Sequence, residues 1–309
     1  MTSPNHRLRP GVWGILATPF DGPNGQIDLA SFVRQIELYR TVGAQGVVAL
    51  GVFGEAIKLA PQEQREVVEA TASNAGGLGV VVGVTTLSTA PAIAQAAMAA
   101  EGLGDALDGV MVQVNSGDPA VVAAHFQAIH DATGSGVVIQ DYPKSSGVRI
   151  TTSALLDVIA ASPFIVAVKA EAPPTPPAIA DLTAATDIPV FGGLGGVGLL
   201  DELAAGAAGA MTGFSHPEGL VAAVDAFQTS GFAAAYEAYA RWLPVANFEG
   251  QEGAALAIRK EILYQRGIIN DPATRQPAGR FPEQLRETMM EHLRALGTAE
   301  GLDDRTRPA

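Results

Sequence analysis

Short apolar runs rich in β-branched residues recur along the chain at 12–20, 46–51, 79–84, 108–114, 136–140, 164–169, 189–193 and 209–213. They are close to continuously apolar rather than alternating, the pattern of strands buried on both faces. Helix-like segments lie between them. In 28–42, Phe32, Ile36 and Tyr39 recur at helical spacing. Segment 61–75 opens with Pro61 and carries Glu63 and Glu66 near its start, which suits the helix dipole. Segments 88–101, 118–133, 151–161, 176–185 and 198–205 follow the same logic. Strands alternating with helices imply parallel βαβ units. Eight such units in about 215 residues predict an α/β fold, the TIM (β/α)8 barrel. Beyond that point the pattern is helical only, at 217–229, 232–247, 253–266 and 282–296, with a frayed tail expected over 301–309. The organisation predicted is one structural unit, a barrel over 1–215 with a C-terminal helical extension over 216–309 packed on it. No stretch is rich enough in Pro, Gly or Ser to be a linker.

Composition narrows the chemistry. With 309 residues, 48% of them hydrophobic, a large core is available. The absence of cysteine removes disulfides, thiol nucleophiles and thiolate metal sites. A net charge of −13 argues against a nucleic-acid partner, and it requires an anionic substrate to be held by local donors. No apolar run approaches the roughly 18 residues that span a bilayer. The start, MTSPNHRLRPGVWG, lacks a charged-then-apolar signal layout, so a cytoplasmic protein is expected.

Lys169 is the residue that most changes this picture. It ends the apolar run 164–169, whereas Lys58, Lys144 and Lys260, the other lysines, stand in polar or amphipathic surroundings. Burial disfavours the ammonium form of a lysine, and a neutral amine in an apolar setting is a Schiff-base nucleophile. The competing reading is a strand-end lysine that snorkels to solvent. In a TIM barrel the active site lies at the C-terminal ends of the strands. Lys169 would end the sixth, so barrel and lysine point to the same face.

The motifs resemble those of a known superfamily, that of dihydrodipicolinate synthase and N-acetylneuraminate lyase. Val166-Ala167-Val168-Lys169 resembles its Schiff-base strand, and Thr18-Pro19 ends the first strand as in that family. Gly51-Val52-Phe53-Gly54-Glu55 stands where the family carries Gly-Thr-Thr-Gly-Glu, and Gly192-Gly193 takes its seventh-strand glycine position. The pattern also departs from the synthases. Val52-Phe53 replaces the threonine pair, Gln140 and the segment 114–117 take the positions of the two relay tyrosines, and Ser145 that of an arginine. The 2-keto-3-deoxy sugar acid dehydratases, in particular those acting on L-2-keto-3-deoxyarabonate, are more similar. They carry Gln-Asp before a proline, here Gln140-Asp141-Tyr142-Pro143, a Ser-Gly-Val turn, here Ser146-Gly147-Val148, a Lys-x-Glu-x-Pro pattern, here Lys169-Ala170-Glu171-Ala172-Pro173, a Met-Thr, here Met211-Thr212, and C-terminal helices similar to those around 243–260. The resemblance implies a class I lyase acting on pyruvate or a 2-keto-3-deoxy sugar acid, assembled as a dimer or tetramer.

In such chemistry Lys169 attacks the ketone of a 2-oxo acid, and the iminium serves as electron sink. No metal or organic cofactor is then required. Dehydration, aldol addition and aldol cleavage share this lysine and differ in what surrounds it. An acid/base group is needed, and Glu171 lies two residues on, on the same strand face if the strand continues; otherwise it is an exposed loop carboxylate or an ion-pair partner. Tyr142, held extended by the following proline, can stand in for the missing tyrosine or pack at the barrel rim. Gln140 and Asp141 can bind substrate hydroxyls or shape the loop. Thr18 can contact the imine or the substrate carboxylate or be a plain strand-end residue. Gly54 and Glu55 are structural or substrate-facing, with structure favoured. Gly192, Gly193, Gly195, Gly196 and Gly213 allow close backbone approach to an anion.

Other classes fit the sequence less well. Gly193-Leu194-Gly195-Gly196-Val197-Gly198 fits G-x-G-x-x-G, but the next strand ends without the acidic ribose partner of a dinucleotide site. The histidines, His6, His125, His130, His216 and His292, have no metal-ligand spacing, and His125 and His130 are expected on a helix surface. Two alternatives stay open: a genuine dihydrodipicolinate synthase, and a non-catalytic 2-oxo-acid-binding protein on the same fold.

Overall fold

The eight expected strands form and pair in chain order, all parallel, and the last closes onto the first. The computed structural model describes residues 7–23 and 25–298. Its strands are β1 (Gly11–Ile15), β2 (Gly46–Ala49), β3 (Gly79–Val84), β4 (Leu107–Gln113), β5 (Val137–Asp141), β6 (Ile165–Ala170), β7 (Val190–Gly192) and β8 (Gly209–Thr212). Around them run α1 (Leu29–Thr41), α2 (Pro61–Asn74), α3 (Thr89–Leu103), α4 (Pro119–Thr133), the single turn α5 (Pro143–Ser146), α6 (Thr152–Ala161), α7 (Thr175–Ala185) and α8 (Leu199–Ala204). Then follow α9 (Pro217–Ser230), α10 (Phe232–Ala240), α11 (Leu243–Glu249), α12 (Ala255–Gln265) and α13 (Arg286–Leu296).

Alternation along the strands splits the core in two. Trp13, Ile15, Val48, Val81, Met111, Val138, Phe191 and Met211 fill the barrel interior. The intervening residues pack outward on the helices. Gly46 and Gly79 carry no side chain because Trp13 takes the space: a Cβ would fall 2.4 and 2.5 Å from its ring. Below the mouth the barrel is therefore solid, and chemistry is confined to the C-terminal strand ends.

α9 packs on β1 and β8 and completes the helical ring, and α10 lies along α9. Val12 and Ala210 of the barrel share one apolar cluster with Leu220 and Val224 of α9, Ile258 and Ile262 of α12, and Met289 of α13. The extension is thereby joined to the barrel through a continuous core.

Several expectations shift. The run 12–20 is a strand only to Ile15; Pro19, which has no N–H to pair, lies in the part that is not. The helix expected over 232–247 breaks at Trp242, because Pro244 cannot continue it and starts α11 instead. His125 is not on a helix surface. It is buried, with Nδ1 2.9 Å from the Thr89 hydroxyl. Lys260 is fully buried rather than amphipathic. The tail 301–309 lies outside the described residues. Among the described residues no helix is long and apolar enough to cross a membrane.

Candidate active site

A cavity of about 640 Å³ opens at the C-terminal ends of the strands, within the size range of small-molecule sites. Lys169, Gln140 and Glu171 line it together. Lys169 pairs across the sheet with Gln140 on β5 and Phe191 on β7, which turns all three inward. β6 ends at Ala170, but the Glu171 N–H still donates to the Asp141 carbonyl at 2.9 Å. The strand-like register therefore runs one residue further, and Glu171 keeps the face of Lys169. Its Oε2 lies 3.0 Å from Lys169 Nζ and accepts a 2.8 Å hydrogen bond from Gln140 Nε2. Both ion-pair side chains are buried.

Gly193 makes room for this carboxylate. A Cβ there would fall 2.6 Å from Cγ and Oε1 of Glu171. Its neighbour Gly192 does the same for a second acid on the opposite face, where a Cβ would sit 1.8 Å from Oε2 of Glu202. The glycine pair thus admits two of the chain's own carboxyls. Glu202 Oε1 accepts from the Thr175 hydroxyl at 2.7 Å, and Oε2 has no partner. Burial pushes this acid up to about 7, with Glu171 adding repulsion.

The other expected site residues are placed as follows. Tyr142 lines the cavity, and its phenol is raised above its usual value by burial and by Glu171. Gly213 lines it too, with the Phe53 ring against its backbone. Glu55 reaches the wall, but its carboxylate is already taken. It accepts from Lys260 Nζ at 2.5 Å, Lys58 Nζ at 3.0 Å and the Arg275 N–H at 2.9 Å. Asp141 points away from the cavity lining. Burial, then the charge of Glu171, pushes it up to about 6, and its Oδ1 has no partner. Thr18 and Gly54 also lie outside the lining and bind each other, the hydroxyl donating to the carbonyl at 2.6 Å. They tie the β1 and β2 loops together. Strained backbone marks the same region: Leu50, Glu55 and Leu194, with φ of 55°, 56° and 50°, follow strands at this end of the barrel.

Sequence reasoning missed Arg259. It comes from α12 in the extension and lines the cavity with its guanidinium carbon 5.5 Å from the Phe53 ring centre. The visible signal is a charged run, Arg259-Lys260-Glu261, between apolar turns of a helical stretch.

The Dihydrodipicolinate synthetase family profile matches residues 9–296. The chain belongs to this family. Among family relatives, L-2-keto-3-deoxyarabonate dehydratase of Azospirillum brasilense is 25% identical over 299 residues, covering 94% of each chain. The 4-hydroxy-tetrahydrodipicolinate synthase of Corynebacterium aurimucosum is 30% identical over 261 residues, 83% of this chain and 85% of that one. The crystal structure of dihydrodipicolinate synthase from Rhodopseudomonas palustris superposes with a TM-score of 0.86 at 28% identity, covering 94% of this chain and all of the other. The family's fold and lyase-or-synthase character therefore extend to this chain, while the relatives named here are a sugar-acid dehydratase and synthases.

Proposed function

We propose that this chain is a class I lyase in which Lys169 forms a Schiff base with the ketone of a 2-keto-3-deoxy sugar acid and Glu171 drives loss of water. The observation that carries this reading is the buried cluster of Lys169, Glu171 and Gln140 on the cavity wall. Glu171 takes the ammonium proton, and the free amine adds to C2. Glu171 returns that proton to the carbinolamine oxygen, which leaves as water, and an iminium remains. Glu171, now within reach of C3, removes a C3 proton and the enamine forms. The enamine expels the C4 hydroxyl, which takes that proton from Glu171 and departs as water. Hydrolysis of the unsaturated iminium frees the product and the amine. The balance is substrate minus one water. The iminium is the electron sink, so this sequence draws on no metal or organic cofactor.

Gln140 supports dehydration over synthesis. It stands where the resemblance places a relay tyrosine of the synthases, and it is committed to orienting Glu171. Assembly as a dimer or tetramer belongs to the same reading, on the family resemblance. Incubation with a 2-keto-3-deoxy pentonate, followed by mass spectrometry, tests the function. A product lighter by one water with no pyruvate supports it. Pyruvate plus an aldehyde would instead make the enzyme an aldolase, and condensation of pyruvate with aspartate semialdehyde would make it a synthase.

A further inference from the structure

A 2-oxo acid brings a carboxylate beside the carbon that Lys169 attacks, and the cavity must neutralise it with local donors because the chain is strongly acidic overall. Most polar groups on the wall are already engaged. Lys58 donates to Glu55 and to the Arg275 carbonyl, Gln140 donates to Glu171, and Lys144 pairs with Glu252 at the exposed rim. Val52 and Phe53 offer no side-chain donors.

We infer that Arg259, set by the extension into the barrel mouth, is the clamp for the substrate carboxylate; the inference rests on the Schiff-base reading above. Its Nε donates to Glu249 Oε2 at 3.3 Å, and its two terminal nitrogens have no hydrogen-bond partner among the described residues. Glu249 is fully buried and is itself held by the hydroxyl and N–H of Ser215. Phe53 lies beneath the guanidinium, and Gly195 clears its approach: a Cβ there would fall 2.3 Å from a terminal nitrogen. The Gly195 backbone has φ of +73°, which favours glycine at that position. The group is thus fixed in place with its forked end uncommitted, the arrangement that binds a carboxylate through paired N–H donors. Thr212, also on the wall, accepts the Gly195 N–H at 2.8 Å and keeps its own hydroxyl proton to donate to the same carboxylate.

The test is borohydride trapping at Lys169 across a range of pyruvate or methyl pyruvate concentrations, in wild type and Arg259→Gln. The ester has the ketone and lacks the charge. Arg259→Gln is expected to raise the half-saturating pyruvate concentration by roughly 10- to 100-fold, the loss of a charged hydrogen bond, and to leave methyl pyruvate unchanged. Equal curves for pyruvate in the two proteins would overturn the inference, and so would a parallel loss with both ketones, the mark of a purely structural role. If Arg259→Gln does not fold, Arg259→Lys gives the answer: a several-fold rise for pyruvate alone supports the clamp, and no change overturns it. Failure of the Schiff-base reading shows differently, as absence of any adduct in the wild type.

Discussion

Lys169 and Lys260 are both buried and both paired with a glutamate, yet only Lys169 faces space that a substrate can fill. Lys260 Nζ donates to Glu55 and to the Ala273 carbonyl and lies 4.4 Å from the centre of the Phe20 ring. Glu55 accepts from three donors, so the carboxylate of that pair is fully engaged although it reaches the cavity wall. It bolts α12 onto the loop after β2. Lys169 shares its carboxylate with a single amide and borders the cavity. Burial pushes Lys260 down to about 8, yet it has no route to the cavity lining. A lowered lysine is therefore not by itself a nucleophile. On the proposed reading, access to the cavity separates the pair assigned to catalysis from the structural one.

This contrast can be broken by mutation. Lys169→Met should lower turnover of the sugar acid by about 10^4-fold or more, the scale seen when a covalent nucleophile is removed, while thermal melting shows a folded protein. Glu171→Gln should cost about 10^2- to 10^4-fold in kcat, because the base is gone, yet still allow slow adduct formation at Lys169. A turnover that survives either change would remove these residues from the chemistry. Lys260→Met should act on stability instead, costing about 3–5 kcal/mol in urea unfolding because it breaks a buried ion pair and leaves Glu55 with only Lys58 and the Arg275 N–H. Adding Glu55→Gln should return part of that loss. A Lys260→Met protein that is stable but cannot be trapped would reverse the roles assigned to the two lysines.

The smallest effect sharpens the picture around Glu171. Burial pushes Glu202 up to about 7 in the fold, whereas the unfolded acid ionises near the ordinary glutamate value of 4.5. The folded state binds the extra proton between those values, so the group's contribution to stability is present below pH 4.5 and falls as pH rises through 7. Glu202→Gln carries no such penalty. Its stability relative to wild type should improve from pH 5 to pH 8 by on the order of 2–3 kcal/mol. A difference that stays flat with pH would mean that Glu202 is ionised in the fold.

Much of the barrel and one half of the site were legible in the sequence. Doubly buried parallel strands are short and continuously apolar, so the eight runs stood out, and alternation along a strand placed Lys169 and Glu171 on one face. The glycines at 192 and 193 signalled close approach, though of Glu202 and Glu171 rather than of a ligand. The extension was less readable. Arg259 and Lys260 are adjacent in sequence, but helical geometry sends one to the cavity and the other to Glu55, and nothing local records which barrel loop each will meet. Thr18 fits either a substrate contact or a plain strand-end role in the sequence; β1 stops at Ile15, and the Thr18 hydroxyl donates to the Gly54 carbonyl.

The most direct measurement is borohydride reduction of the wild-type protein in the presence of a 2-keto-3-deoxy pentonate, followed by peptide mass spectrometry. The account predicts a reduced adduct on the peptide containing Lys169 and none on those containing Lys58, Lys144 or Lys260. An adduct on Lys260, or none on any lysine, would contradict it.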